Sequence, residues 1–131
     1  MKNDWRNATQ TGDLNHVAAL LDSGCDVNAL DEHGQTALMN AAHRGDVELV
    51  RLLIDRKASL DITAKYCLTA LMLAVIANHT EVVRLLVTAG ADTTIKGSYG
   101  SFERTPLQYA EENGKQEIAA ILRASMRENG N

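Results

Sequence analysis

Apolar positions fall in two short runs along this chain, and both runs recur in the same order. Residues 35–42 (Gln-Thr-Ala-Leu-Met-Asn-Ala-Ala) return 33 positions later as residues 68–75 (Leu-Thr-Ala-Leu-Met-Leu-Ala-Val), and a third copy spans 104–110 (Arg-Thr-Pro-Leu-Gln-Tyr-Ala). The second run, Val47, Leu49, Val50, Leu52, Leu53 and Ile54, is matched by Val82, Val83, Leu85, Leu86 and Val87. Each run has helical spacing, so the pattern predicts a unit of two short helices repeated along the chain.

The polar positions mark where these helices begin and end. Thr36, Thr69 and Thr105 stand before the first helix, where a hydroxyl accepts from an orphan backbone N–H, and Pro106 then occupies the first helical position. Thr105 and Gln108 form a capping-box pair, which Thr36 and Thr69 lack because Met39 and Met72 stand three residues on. Gly12, Gly45, Asn78 and Gly114 suit the left-handed residue that ends a helix. Glu48, Glu81 and Glu117 then begin the second helix, as the helix dipole favours.

That second helix has little polar surface. Between Val47 and Ile54 only Glu48 and Arg51 break the apolar run, so both flanks need cover rather than one. Neighbouring copies in a linear stack supply it. Ala8, Ala41, Ala74 and Ala110 let paired helices approach closely. A Gly-x-Asp turn and short β-prone stretches at 61–63 and 93–95 then lead into a hairpin-like loop.

These residues resemble the ankyrin repeat, and the resemblance extends over nearly the whole chain. It implies an all-α repeat solenoid, a stack of helix-turn-helix units joined by β-hairpin-like loops. Residues 1–131 are then a single domain with units at about 1–30, 31–63, 64–96 and 97–125, and residues 126–131 as a tail. His16 and Thr9, where other units carry apolar residues, and Asn3, where they carry threonine, mark the first unit as a polar cap. Arg123, Arg127 and Glu128 do the same for the last. Caps at both ends argue for a complete protein that is a monomer on its own.

The chain departs from the family pattern at several places. Met39, Met72 and Gln108 replace the family histidine, which removes hydrogen bonds that relatives use between units. Cys67 and Lys57 replace glycines, leaving a left-handed non-glycine residue or a changed loop. Between the last two units the period lengthens from 33 to 36, with an insertion within 97–104 that carries Tyr99 and Phe102.

Composition narrows the function further. With 13 basic and 17 acidic residues the net charge is −4, which provides no basic field for nucleic acid or an anionic membrane. The N-terminus has no apolar leader and no stretch approaches a membrane span, so the expected compartment is the cytoplasm. Cys25 and Cys67 read as reduced thiols. The histidines His16, His33, His43 and His79 have no zinc-site spacing, and no phosphate-binding glycine motif is present. Neither a metal, a cofactor nor a catalytic constellation is expected. Asn7-Ala8-Thr9 and Asn78-His79-Thr80 are formal glycosylation sequons without a secretory signal. Asp26-Val27-Asn28-Ala29, with Leu20 upstream, is similar to the site modified by asparaginyl hydroxylases in ankyrin proteins.

The family resemblance implies a non-enzymatic module that binds a partner protein through its concave face of hairpin tips and first helices. Matching positions are Glu32, His33, Gln35, His43 and Arg44 in the second unit, and Lys65, Tyr66, Leu68, Ile76 and Ala77 in the third. Tyr99, Phe102 and Arg104 join from the inserted loop. Leu68 and Ile76 have a competing reading as packing residues. A secreted or injected effector acting on a host protein through the same face is the alternative function, with a small-ligand protein or enzyme further behind.

Overall fold

The computed structural model describes residues 3–98, 100 and 103–128. Among them, eight α-helices run in four consecutive pairs. The first pair is α1 (Asn3–Thr11) and α2 (Leu14–Asp22), and the second is α3 (Ala37–Arg44) and α4 (Val47–Asp55). Then come α5 (Ala70–Ile76) with α6 (Thr80–Thr88), and α7 (Pro106–Glu112) with α8 (Gln116–Glu128). A single 3₁₀ turn at Lys65–Cys67 precedes α5, and the described residues contain no strand. The β-prone stretches at 61–63 and 93–95 are irregular chain, without a ladder partner.

The helix ends follow the residues that mark them. The Oγ atoms of Thr36, Thr69 and Thr105 accept from the backbone N–H of Met39, Met72 and Gln108, each at 3.2 Å. At Thr105 the box closes, because Gln108 Oε1 accepts from the Thr105 N–H at 2.9 Å. Asp13 and Asp46 cap α2 and α4 through His16 N–H and Leu49 N–H. Gly12, Gly45, Asn78 and Gly114 all follow their helices at positive φ, between 65° and 78°. Gly45 has a second reason to lack a side chain, since a Cβ there would stand 2.6 Å from the His79 ring.

Side-by-side stacking covers the apolar flanks. α3 packs against α1 and α5, α4 against α2 and α6, and α7 and α8 close onto α5 and α6. Leu49, Val50 and Leu53 of α4, Val82, Val83 and Leu86 of α6, and Ile118, Ala119 and Leu122 of α8 are all buried. Ala8, Ala41, Ala74 and Ala110 lie at the close approaches with 0–1% exposure. Trp5 takes the register position of Leu38 and Leu71 and is equally buried. Thr9 corrects the reading of an exposed polar cap: it is only 6% exposed, and its hydroxyl donates to the carbonyls of Trp5 at 2.9 Å and Arg6 at 3.1 Å. The helix's own carbonyls satisfy the hydroxyl, so it can occupy an alanine position.

A ladder of charge runs over the outer helices. Arg51 lies 3.9 Å from Glu48 and 3.8 Å from Glu81, and Arg84 lies 3.5 Å from Glu81 and 3.9 Å from Glu117. All five side chains are about half exposed or more, so each pair contributes about 0–1 kcal/mol at most. Apolar burial therefore dominates. Leu53→Ala and Leu86→Ala, both at 0% exposure, are expected to lose about 2–5 kcal/mol each in urea denaturation. A loss under about 0.5 kcal/mol at both would contradict this packing.

Candidate binding face

The loops before α3 and α5 are built differently, although they stand at equivalent places. In the loop before α3, Asp31 does most of the organising. Its Oδ1 accepts from the backbone N–H of His33 at 2.8 Å and Gln35 at 3.0 Å, and its Oδ2 accepts from Asn40 Nδ2 at 3.1 Å. The Asp31 N–H donates to the Gln35 carbonyl and the Gly34 N–H to the Asp31 carbonyl, which closes a tight turn. Gly34 then sits at φ 73°, where glycine is unstrained.

The loop before α5 has Ala64 where Asp31 would be, so backbone bonds rather than a carboxylate close its turn. The Ala64 N–H donates to the Leu68 carbonyl at 2.8 Å and the Cys67 N–H to the Ala64 carbonyl at 3.0 Å. Cys67, at the Gly34 position, adopts φ 61°, and Lys57 adopts φ 68°, as their replacement of glycine implies. Tyr66 is left-handed as well, at φ 64°. Sequence pattern had no signal for this, because the corresponding His33 is not left-handed. The Tyr66 carbonyl accepts from the Ser98 N–H at 2.8 Å, tying this loop to the next, and the Lys65 ammonium lies 5.1 Å from the Tyr66 ring centroid.

The candidate residues divide by what their side chains do. His33, His43, Lys65 and Tyr66 are exposed, and Ile76, Ala77 and Gln35 are half-buried. Glu32 is held by Arg6 Nη2 at 2.6 Å. Arg44 turns into the stack, donating to the Thr9 carbonyl at 2.8 Å and to Asp46 at 3.2 Å. Arg104 Nε donates to both Glu112 oxygens, at 2.9 and 2.8 Å. Leu68 is a correction: at 8% exposure it packs in the core, because the turn folds it under the loop. Tyr99 and Phe102 lie outside the described residues.

Hydrogen bonds between neighbouring pairs are present, though not at the position of the family histidine. Met39 and Met72 are buried there and contribute packing. His79 Nε2 instead lies 3.0 Å from the His43 carbonyl oxygen. Asn28 Oδ1 accepts from the Ser59 N–H at 2.8 Å while its Nδ2 meets Ser59 Oγ at 3.2 Å. One period on, Asp61 Oδ1 accepts from the Asp92 N–H at 2.9 Å. The Thr94 hydroxyl and backbone N–H bond to the Asp92 carboxylate and hold its pKa below the ordinary value.

A family model described as ankyrin repeats (3 copies) matches residues 6–97 and 69–131. The chain belongs to the ankyrin repeat family. A search of curated proteins returned no match. Ankyrin repeats are in general protein–protein interaction modules. Among the described residues no group of three or more His, Cys, Asp or Glu side chains is placed to hold a metal. No described helix is long and apolar enough to cross a membrane. Cys25 and Cys67 are free thiols in this ankyrin fold.

Two predictions concern the loops. Burial is the largest single influence on Asp31 and acts to raise its pKa, but bonds from Gln35, Asn40 and His33, with attraction to His33, together hold it below the usual 3.8. A depressed carboxylate stabilises the fold fully above its unfolded pKa and loses that contribution as pH falls through the folded value. The stability gap between the wild type and Asp31→Ala should therefore be wide at neutral pH and close below about pH 4 in urea titrations. A gap unchanged to pH 2 would contradict the bonding of Asp31. Cys67→Gly should raise stability by about 1 kcal/mol, since glycine carries no Cβ penalty at positive φ. A lower melting temperature would show that the thiol packs usefully.

Proposed function

We propose that this ankyrin repeat protein binds a partner protein through the concave face formed by its loop tips and first helices, and that it is not an enzyme. The observation that carries the proposal lies in the third pair. Helix α5 has no charged residue, and Ile76 and Ala77 are half-covered at the register positions of His43 and Arg44 in α3. In the loop that leads into the same helix, Tyr66 is 38% exposed, one of three large apolar side chains so exposed among the described residues. An aromatic and an aliphatic group within a charged surround is the arrangement in which binding energy concentrates. Glu32 and Arg104, each already held by a neighbour, would orient a partner more than anchor it. The two free thiols favour a reducing compartment such as the cytoplasm.

The test is affinity capture from native lysate, followed by measurement of binding to the protein captured. Tyr66→Ala should weaken that binding by more than about 1 kcal/mol with circular dichroism unchanged. Arg51→Ala and Arg84→Ala, on the outer ladder, should leave it intact. If the arginine variants lose binding and Tyr66→Ala does not, the partner docks on the outer helices and the proposal fails.

A further inference from the structure

We propose that the first helix pair is a detachable cap, which opens as a unit while the other three pairs remain folded. This concerns the stability of the stack and stands apart from the proposed binding face. Its first support is how little α2 buries. Among the second helices α4 buries Leu49, Val50 and Leu53, and α6 buries Val82, Val83 and Leu86, whereas α2 buries Val17 alone. Burial of apolar surface is the main term holding such a pair to its neighbour, so α2 is the most weakly anchored of these three.

The second support is independent and lies in α1. Trp5 stands where α3 and α5 have Leu38 and Leu71, and the indole brings an N–H that those leucines lack. Trp5 Nε1 is buried without a hydrogen-bond partner, and so is Nε of the adjacent Arg6. Relative to leucine, an indole N–H that finds no protein acceptor on docking offsets part of what burying the ring contributes. No other side-chain nitrogen or oxygen among the described residues is in this state.

The third is the nature of the ties to the second pair. Arg6 meets Glu32 at 2.6 Å, Arg56 meets Asp22 at 2.7 Å, Arg44 reaches the Thr9 carbonyl at 2.8 Å, and Asn28 meets Ser59. Glu32 and Asp22 are 57% and 69% exposed, so water and salt compete for both ion pairs. The second and third pairs, in contrast, pack helix on helix, α3 against α5, and Leu38, Met39, Leu71 and Met72 of these helices are each 1% exposed.

Trp5 is the chain's one tryptophan, so its fluorescence reports the first pair, while far-ultraviolet circular dichroism reports all the helices. In urea the fluorescence midpoint of the full-length protein is expected below the main dichroism midpoint by about 0.5 M or more. The double variant Asp22→Asn/Glu32→Gln removes two exposed ties without touching the core. It should lower the fluorescence midpoint further and leave the main dichroism transition in place. Amide hydrogen exchange should correspondingly be faster at Val17 than at Leu53 or Leu86. Coincident transitions in the wild type would overturn the proposal, and so would a double variant that shifts both transitions equally.

Discussion

The outer helices α4 and α6 present apolar surface to both sides, and that surface has no cover within its own pair. α4 sets Leu49, Val50 and Leu53 in the core while Val47, Leu52 and Ile54 are half-covered, leaving Glu48, Arg51 and Asp55 exposed. No two-helix unit can bury such a circumference, so every pair depends on its neighbours. The remaining features serve this requirement. Threonine caps start the inner helices, glycine or asparagine ends them, and alanines at the crossings allow a spacing close enough for the leucines to meet.

Polar groups then determine how neighbouring pairs sit on one another. The ties repeat where the sequence repeats: Asn28 with Ser59 and Asp61 with Asp92 are the same contact one period apart. Elsewhere they are particular to one junction, as with His79 lying over Gly45 and reaching the His43 carbonyl. Most are exposed and individually weak, so they align the stack more than they stabilise it. The side chains of His33, Lys65 and Tyr66 in the loops, and of His43 on α3, are exposed.

Much of the fold was legible because helix pairing, caps and stacking each depend on residue type at a fixed position in the period. Lys57 and Cys67 were readable for the same reason, since glycine is expected at those places and a replacement must still meet the turn. The site was less legible, because exposure depends on neighbours distant in sequence. Leu68 and Arg44 occupy surface positions by register, yet one folds under its turn and the other reaches back to the Thr9 carbonyl. Thr9 looked polar but is buried, its hydroxyl satisfied within its own helix. The left-handed Tyr66 has no counterpart at His33, so periodicity had nothing to compare.

The most direct test of the account isolates one pair from its neighbours. A peptide spanning residues 64–96 contains α5, α6 and the loop before them, including every local cap and turn bond described for that pair. If mutual cover between pairs is what holds the fold, its far-ultraviolet circular dichroism in water should show a largely unfolded chain with no cooperative thermal transition. A peptide that is helical and melts cooperatively as a monomer would contradict the account, because the pair would then be stable without the neighbours that cover it.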